Sequence, residues 1–400
     1  MKKKFLAIVI LTFVFLTLCS CVPNISPDDF DGEENPSDTA VSDTPNLLPA
    51  SKALLSAVSV RCEYEEYRYS IYGTVIGTKK TASAGSGVIY KLDKDKGDAY
   101  IITNYHVVYN GNAVVENGIS DNIQIYLYGM EMMNSDGNTY AIPAVYVGGS
   151  MNYDIAVLRV SASDVLKNSS AIQASVADSD GVCILDTAIA IGNPGDSGLS
   201  ATVGYINVDS EDITVGFETP SGTQSVSLRV MRTDAAVNSG NSGGGLFNTR
   251  GELIGIVNAK DSDELVDNIG YAIPSNVATA IADNAIYYSD GTVRRCLLGV
   301  TVGVKSYSTK YESESGKIYR IEEVVVTELT ETSTVLGLIE VGDIVNSVTV
   351  DGNIKQVTRI HHLVDSMLYA RVGSEVSINV TRGGISMDIS VRMLSSTVTE

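Results

Sequence analysis

Short β-prone runs separated by turn residues recur through this chain, and their spacing limits its possible folds more than any other feature. The runs are closed by Gly, Asn or Asp, and we predict strands at Tyr69–Ile76, Gly87–Lys91, Ala99–Thr103, Ile123–Tyr128, Ala141–Val147, Ile155–Val160, Thr187–Ile191, Ala201–Val208, Ser225–Met231 and Leu253–Asn258. Regular strands without intervening helices are typical of an all-β barrel or sandwich. The 36 glycines among 400 residues agree with a turn-rich, mostly β fold.

A helix and a second, smaller unit follow the strand region. Ser275 is a predicted N-cap for a helix through about Ile286, which Asp290-Gly291 ends. Alternating apolar residues between 376 and 391 predict a hairpin, and one further helix is expected from Ile360 to about Tyr369. We therefore predict a β domain over residues 51–290 and a small α+β domain over residues 291–400.

The N-terminus carries the signature of export. Lys2-Lys3-Lys4 precedes the uncharged run Phe5–Leu18, which has the length of a signal-peptide core and is too short for a comfortable membrane span. The run ends in Leu18-Cys19-Ser20-Cys21, which resembles a bacterial lipobox. We expect residues 1–20 to be removed and Cys21 to be lipidated, anchoring the chain at the outer face of the bacterial cell membrane. The alternative is an ordinary signal peptide with an incidental cysteine.

An acidic segment follows Cys21. Residues 22–50 contain seven Asp or Glu, five prolines and no Lys or Arg. This composition is typical of a disordered tether, which we place over residues 21–50. Loss of residues 1–20 removes three lysines and lowers the net charge from −20 to −23. Such a charge disfavours nucleic acid as a partner and confines membrane contact to the lipid anchor.

Cysteine usage beyond Cys21 is sparse. Cys62, Cys183 and Cys296 form an odd, widely spaced set with neither a disulfide framework nor zinc-site spacing. One disulfide would be compatible with this set, but buried free thiols are the stronger expectation.

Two of the three histidines, His361 and His362, are neighbours on the predicted second helix. Adjacent helix residues point about 100° apart, so we expect solvated side chains rather than metal ligands. We predict neither a metal nor a cofactor.

Gly240-Asn241-Ser242-Gly243-Gly244 places one hydroxyl in a loop whose glycines permit tight turns. Such a serine can stand beside converging backbone N–H groups, as a nucleophile with its own oxyanion hole does. The alternative is an ordinary Gly/Ser-rich loop.

A base and an acid for this serine occur upstream. His106 follows the strand at Ala99–Thr103, and Asp154 precedes the apolar strand Ile155–Val160. Separately, they would be a core histidine and a strand-start turn residue. Together with Ser242 they predict a catalytic triad, in which imidazole takes the hydroxyl proton and the carboxylate orients the imidazole. The N–H groups of Gly240 and Ser242 would form the oxyanion hole.

Six motifs in one order resemble the HtrA/Deg family of trypsin-like serine proteases. They are Gly85-Ser-Gly-Val-Ile89, Thr103-Asn-Tyr-His-Val-Val108, Asp154-Ile-Ala-Val-Leu158, Ala190-Ile-Gly-Asn-Pro-Gly195, Thr233–Gly244 and Gly270-Tyr-Ala-Ile-Pro-Ser275. The resemblance implies a double β-barrel protease domain followed by a PDZ domain. In that domain Leu298, Gly299 and Val300 would receive the carboxylate of a C-terminal peptide by strand addition. It also implies a homotrimer.

Specificity follows from the residue six before the nucleophile, which lies at the base of the primary pocket in trypsin-like proteases. Here that residue is Ala236, and a basic substrate side chain would be buried there without a partner. We therefore expect cleavage after small or medium aliphatic residues. Val257, Asn258 and Ala259 are expected to supply the main-chain strand that pairs with substrate.

The sequence thus predicts an exported, membrane-anchored serine endopeptidase that degrades misfolded or damaged exported proteins. Two alternatives stay open: a catalytically inactive binding or chaperone module, and a protease dedicated to one signalling substrate.

Overall fold

The computed structural model describes residues 47–72, 74–130, 140–258 and 269–399. The predicted signal peptide, Cys21, most of the predicted tether and Ala259 lie outside this range. Residues Asn46–Glu400 form one compact unit.

The N-terminal part of this unit is a closed six-stranded barrel with the strand order β1-β2-β3-β6-β5-β4. Its strands are β1 (Ala57–Tyr69), β2 (Val75–Asp93), β3 (Asp98–Thr103), β4 (Asn122–Leu127), β5 (Ile142–Ser150) and β6 (Ile155–Val160). In β1, Val60, Cys62 and Tyr64 are buried while Arg61 and Glu63 are exposed, which is the period-two pattern of a strand with one face on a core. The predicted mostly β fold is confirmed.

One predicted strand in this barrel is wrong. Tyr69–Ile76 contains the turn between β1 and β2, where the N–H of Ser70 donates to the carbonyl of Thr74 at 2.8 Å. The long strand β1 before it was missed, although the alternation at residues 58–64 was a readable signal.

A second sheet also closes on itself, because β11 pairs with both β8 and β12 in the order β11-β8-β9-β10-β13-β12-β7. Its strands are β7 (Ser175–Val176), β8 (Thr187–Gly192), β9 (Ser200–Thr219), β10 (Gly222–Thr233), β11 (Gly245–Phe247), β12 (Glu252–Asn258) and β13 (Gly270–Pro274). Helices α1 (Tyr105–Val108), α2 (Asp164–Asn168) and α3 (Ser275–Tyr288) complete this region. One apolar core runs between the two barrels and under α3.

Two predicted boundaries shift. Ser275 is the first residue of α3 rather than its N-cap, which is Pro274, and the Ser275 hydroxyl donates to the carbonyl of Ala177 at 2.8 Å. The predicted tether extends too far, because Leu48–Ser56 is a 3₁₀ helix in which Ala50 is buried in the core between the barrels. Burying even a small apolar residue ties this segment to the folded unit.

The C-terminal part is a separate sheet with the order β15-β16-β17-β19-β20, in which β18 also pairs with β17. Its strands are β15 (Val300–Glu312), β16 (Lys317–Leu329), β17 (Ile344–Val350), β18 (Asn353–Gln356), β19 (Glu375–Arg382) and β20 (Ile385–Arg392). Helix α4 (Ile360–Met367) covers it, and β14 (Arg295–Cys296) pairs with β21 (Val398–Thr399). Among the described residues, the other 3₁₀ turns are Met151–Tyr153, Ser179–Gly181, Pro194–Asp196 and Ser395–Thr397.

A charged interface joins this C-terminal sheet to the second barrel. Its contacts include Arg359 Nη1 to Asp209 Oδ2 at 2.8 Å, Lys317 Nζ to Asp186 Oδ2 at 2.6 Å, Lys355 Nζ to Asp180 Oδ2 at 2.5 Å and a pair between Arg229 and Asp365.

His361 and His362 lie within this interface, so the expectation that they are solvated is wrong. Their side chains are 10% and 8% exposed. Burial lowers the pKa of both imidazoles, which keeps them neutral near pH 7.

The thiol prediction is confirmed: Cys62, Cys183 and Cys296 are free and buried. Burial raises the pKa of Cys62 to about 12 and raises the pKa values of the other two thiols as well. They are therefore unreactive packing residues. Within the ranges given above, no helix has the length and apolar character needed to cross a membrane.

Candidate active site

His106 and Asp154 meet where the first barrel faces the second. His106 lies on the single-turn helix α1, directly after β3, and Asp154 directly precedes β6, the strand that pairs with β3. His106 Nδ1 lies 2.7 Å from Asp154 Oδ2, and the backbone N–H of His106 donates to Asp154 Oδ1 at 3.0 Å. Because Nδ1 is engaged by the carboxylate, the Nε2 lone pair of the neutral ring is left for a proton acceptor role.

Asp154 is fully buried and adopts a left-handed backbone conformation, with φ of 50°. A buried carboxylate must be hydrogen-bonded, and besides His106 it accepts from Asn258 Nδ2 at 2.8 Å. Asn104 Nδ2 donates to the backbone carbonyl of Asp154 at 2.8 Å. The acid is therefore held from three directions before any substrate binds.

The loop carrying Ser242 is shaped by glycines with no room for a side chain. Gly240 has φ of 99°, and a Cβ there would lie 2.2 Å from the carbonyl oxygen of Asn193. Gly195 N–H donates to the carbonyl of Ser239 at 2.9 Å. Since N–H and C=O point in opposite directions across a trans peptide, this bond turns the N–H of Gly240 away from the Asn193–Gly195 turn.

Ser86, on β2, joins this loop to the first barrel. Its hydroxyl donates to the carbonyl of Gly240 at 2.7 Å and accepts from the N–H of Asn193 at 2.8 Å. Its backbone N–H donates to the carbonyl of Ser242 at 2.7 Å, and its carbonyl accepts from the Thr103 hydroxyl at 2.7 Å. One fully buried residue thus connects the serine loop, the turn beside it and the segment that leads to His106.

Two close approaches bring the serine loop against the His106 segment. A Cβ at Gly243 would lie 2.3 Å from Thr103 Oγ1, and a Cβ at Gly85 would meet both Val107 at 2.7 Å and the Ser242 carbonyl at 3.1 Å. Ser242 itself is 6% exposed and His106 is 20% exposed at its side chain. The three predicted triad residues therefore come from segments that pack on one another.

The predicted specificity residues that the structure describes differ in their hydrogen-bond partners. Ala236 is exposed, and its carbonyl accepts from the Thr202 hydroxyl at 2.9 Å. Val257 donates its N–H to the carbonyl of Gly244 and accepts from the N–H of Gly243, so its main chain is committed to the serine loop rather than to substrate. The side-chain amide of Asn258 donates a hydrogen bond to the Asp154 carboxylate. Ala259 lies outside the part of the chain that the structure describes.

Sequence reasoning missed the roles of Ser86 and Asn258. Each lies inside a motif that the sequence analysis singled out, but their partners are 154 and 104 positions away in the chain. No local periodicity reports such a contact.

This double barrel, with a His–Asp pair and a glycine-bounded serine at its interface, defines a trypsin-like serine endopeptidase. The sequence profile described as Trypsin-like peptidase domain matches residues 85–256. That range contains His106, Asp154 and Ser242.

Sequence relatives narrow this class to one family. Serine protease Do-like HtrA of Lactobacillus helveticus is 32% identical over 330 residues, covering 79% of this chain and 70% of that protein. Its counterpart in Lactococcus lactis subsp. lactis is 30% identical over 348 residues, covering 82% and 76%. The Bacillus subtilis protein of that name is 38% identical over 221 residues, which is 55% of this chain but only 43% of that relative. The chain belongs to the Do-like HtrA family of serine proteases.

Solved structures agree with this assignment. The HtrA-type protease AlgW with a tripeptide superposes with a TM-score of 0.51 at 25% identity, covering 86% of this chain and 95% of AlgW. The same protease with a decapeptide gives a TM-score of 0.50.

Proposed function

We propose that this protein cleaves peptide bonds through a Ser242–His106–Asp154 triad. The observation that carries the proposal is the 2.7 Å contact between His106 Nδ1 and the buried Asp154 carboxylate. In this mechanism Ser242 Oγ attacks the scissile carbonyl carbon while His106 Nε2 takes the hydroxyl proton. Collapse of the tetrahedral intermediate releases the amine, which leaves with that proton, and water then hydrolyses the acyl-enzyme by the same route.

The N–H groups of Gly240 and Ser242 serve as the oxyanion hole. The bond from Gly195 N–H to the Ser239 carbonyl supports this role, because it sets the orientation of the peptide that carries the Gly240 N–H. One such donor is worth about 10²- to 10³-fold in kcat in other proteases.

The C-terminal unit, residues 291–400, acts as a PDZ domain that captures substrate C-termini. A groove of about 290 Å³ lies between β15 and α4, lined by Leu298, Val300, Leu363 and Met367. The carbonyls of Leu298 and Gly299 are bonded to the N–H groups of Thr334 and Thr330. This turns the N–H groups of Gly299 and Val300 away from that segment, as a carboxylate-binding loop requires.

The remaining features of the proposal follow from the family and the N-terminal sequence. The catalytic domain extends to residue 290 and begins at about residue 47 rather than at 51, since Ala50 belongs to its core. Substrates are unfolded or damaged exported proteins, which are cleaved after small or medium aliphatic residues at a primary pocket that includes Ala236. The chain is anchored by lipidated Cys21 at the outer face of the cell membrane and assembles as a homotrimer. A Cys21→Ala variant that stays in the membrane fraction would contradict the anchor, and a monomeric mass in solution would contradict the trimer.

A fluorophosphonate probe tests the chemistry directly. We expect the wild-type chain to be labelled and to digest unfolded casein, and Ser242→Ala to do neither while unfolding at the same temperature. Labelling that persists in Ser242→Ala would place the nucleophile elsewhere. Wild-type protein that stays unlabelled after heat or peptide addition would instead favour a binding module.

A further inference from the structure

The interface between the second barrel and the C-terminal sheet brings together three metal-ligating side chains. Asp180 lies on the 3₁₀ turn Ser179–Gly181 before β8, and His361 and His362 lie on the first turn of α4. His361 Nε2 lies 3.8 Å from Asp180 Oδ1, and His362 Nε2 lies 3.8 Å from Asp180 Oδ2. One ligand atom from each residue falls within 4.8 Å of the other two.

These separations suit an ion better than direct hydrogen bonds. At 3.8 Å neither imidazole is within hydrogen-bonding distance of the carboxylate. Tetrahedral zinc with bonds of about 2.0–2.2 Å holds its ligand atoms about 3.3–3.6 Å apart. The two imidazole–carboxylate separations would have to contract by only a few tenths of an ångström to reach this range, and all three ligand atoms already lie within 4.8 Å of one another. The argument from adjacent helix positions failed because Asp180, from the other domain, lies opposite both rings.

The surroundings supply the features that a metal site needs. His362 Nδ1 lies 3.1 Å from the carbonyl oxygen of Gln356. If Nδ1–H donates to this carbonyl, Nε2 carries no proton and can bind a metal. The N–H of Thr358 also lies 3.3 Å from Nδ1 and competes for this nitrogen. A cavity of about 470 Å³ is lined by all three ligand residues and has room for a water as fourth ligand.

Lys355 is the competitor for this position. Its ammonium lies 2.5 Å from Asp180 Oδ2 and 3.2 Å from Asp178 Oδ2. A bound cation would displace the ammonium from Asp180, and Asp178 remains within reach to keep it paired.

We propose that Asp180, His361 and His362 bind a divalent transition-metal ion of the zinc class, which fastens the C-terminal sheet to the catalytic barrels. Two imidazole nitrogens and one carboxylate favour zinc over Mg²⁺ or Ca²⁺, which prefer all-oxygen sites. The site is separate from the triad and does not depend on PDZ activity.

Titration of the metal-stripped full chain with Zn²⁺ tests this assignment by calorimetry and by thermal unfolding. We expect one equivalent per chain, a raised unfolding temperature, no comparable effect of Mg²⁺, and a four-coordinate absorption spectrum with Co²⁺. His361→Gln and His362→Gln should each weaken binding by more than about tenfold, since even an outer-shell partner is worth about 10- to 100-fold.

His106→Ala is the matched control, because His106 is the only other histidine among the three in the sequence. Zn²⁺ binding should survive this change; its loss would move the site to the triad. Lys355→Met should tighten binding by removing the competing ammonium, and this readout still applies if a histidine variant fails to fold. Failure of the wild-type chain to bind Zn²⁺, or undiminished binding in both histidine variants, would overturn the proposal.

Discussion

Replacing Ser86 by alanine should lower both the stability of the fold and kcat, although no residue of the proposed triad is changed. The Ser86 hydroxyl is the partner of the Gly240 carbonyl and of the Asn193 N–H, and Ser86 is fully buried. Alanine leaves both backbone groups buried without this partner. Each such group costs about 1–3 kcal/mol, so the folded state should lose about 2–6 kcal/mol.

Part of this loss should appear in catalysis, because the freed carbonyl belongs to the residue whose N–H serves the proposed oxyanion hole. A displaced donor should cost less than a deleted one, which is worth about 10²- to 10³-fold. We therefore expect kcat to fall by about 10- to 100-fold with a smaller change in KM. Steady-state cleavage of a fluorogenic peptide and urea unfolding measure the two effects separately.

Ser59→Ala is the matched control. Ser59 lies directly opposite Ser86 in the β1–β2 register and is also buried, at 3% exposure against 0% for Ser86. Its hydroxyl, however, has no hydrogen-bond partner among the described residues. This variant should keep kcat and change stability by less than about 1 kcal/mol. If Ser86→Ala retains kcat within twofold of Ser59→Ala, the proposed link from β2 to the serine loop is refuted.

Three further predictions concern separate sites. Asn258→Ala removes a hydrogen-bond donor that lies 2.8 Å from the Asp154 carboxylate. Because such a charge-assisted bond is worth about 1.5–3 kcal/mol, we expect kcat/KM to fall by about 10- to 100-fold, and to fall further in Asn258→Asp. An unchanged kcat/KM would show that this bond does not contribute to catalysis. Ala236→Asp should turn peptide cleavage toward Lys and Arg, and wild-type preference for cleavage after Arg would contradict the uncharged pocket. The Arg382 guanidinium, bonded to Asp343 at 2.7 Å through both Nε and Nη2, holds the pKa of that carboxyl below its usual range. Its stabilisation is present above about pH 4 and lost as the pH falls through the lowered folded pKa. Urea unfolding should therefore show Asp343→Asn less stable than wild type by about 1.5–3 kcal/mol at pH 7, the size of a hydrogen bond to a charged group, with a smaller difference at pH 3. An equal difference at both pH values would be evidence against the pair.

Much of the candidate site could be read from the chain because its signals are local. Ser242 is flanked by glycines whose positive φ values and close backbone contacts admit no side chain, and this requirement is written in the sequence itself. His106 and Asp154 lie at the ends of two strands, Asp98–Thr103 and Ile155–Val160, that the β-prone and apolar runs of the sequence located well. Period-two alternation likewise predicted the final hairpin, observed as β19 and β20. The prediction missed β1 (Ala57–Tyr69) because it began a strand at Tyr69, where β1 ends and a turn follows.

What the sequence by itself determined is the order of elements and the chemical types at the site, since both depend on neighbours along the chain. The tertiary structure alone decided which distant groups meet. It buried His361 and His362 against Asp180, about 180 positions away, where spacing on the helix had indicated solvent. It also placed the side-chain amide of Asn258 against the carboxylate of Asp154, a contact that no local sequence pattern indicated. The physical reason is that hydrogen bonds and ion pairs act over a few ångströms in space, whereas a sequence pattern records only separation along the chain.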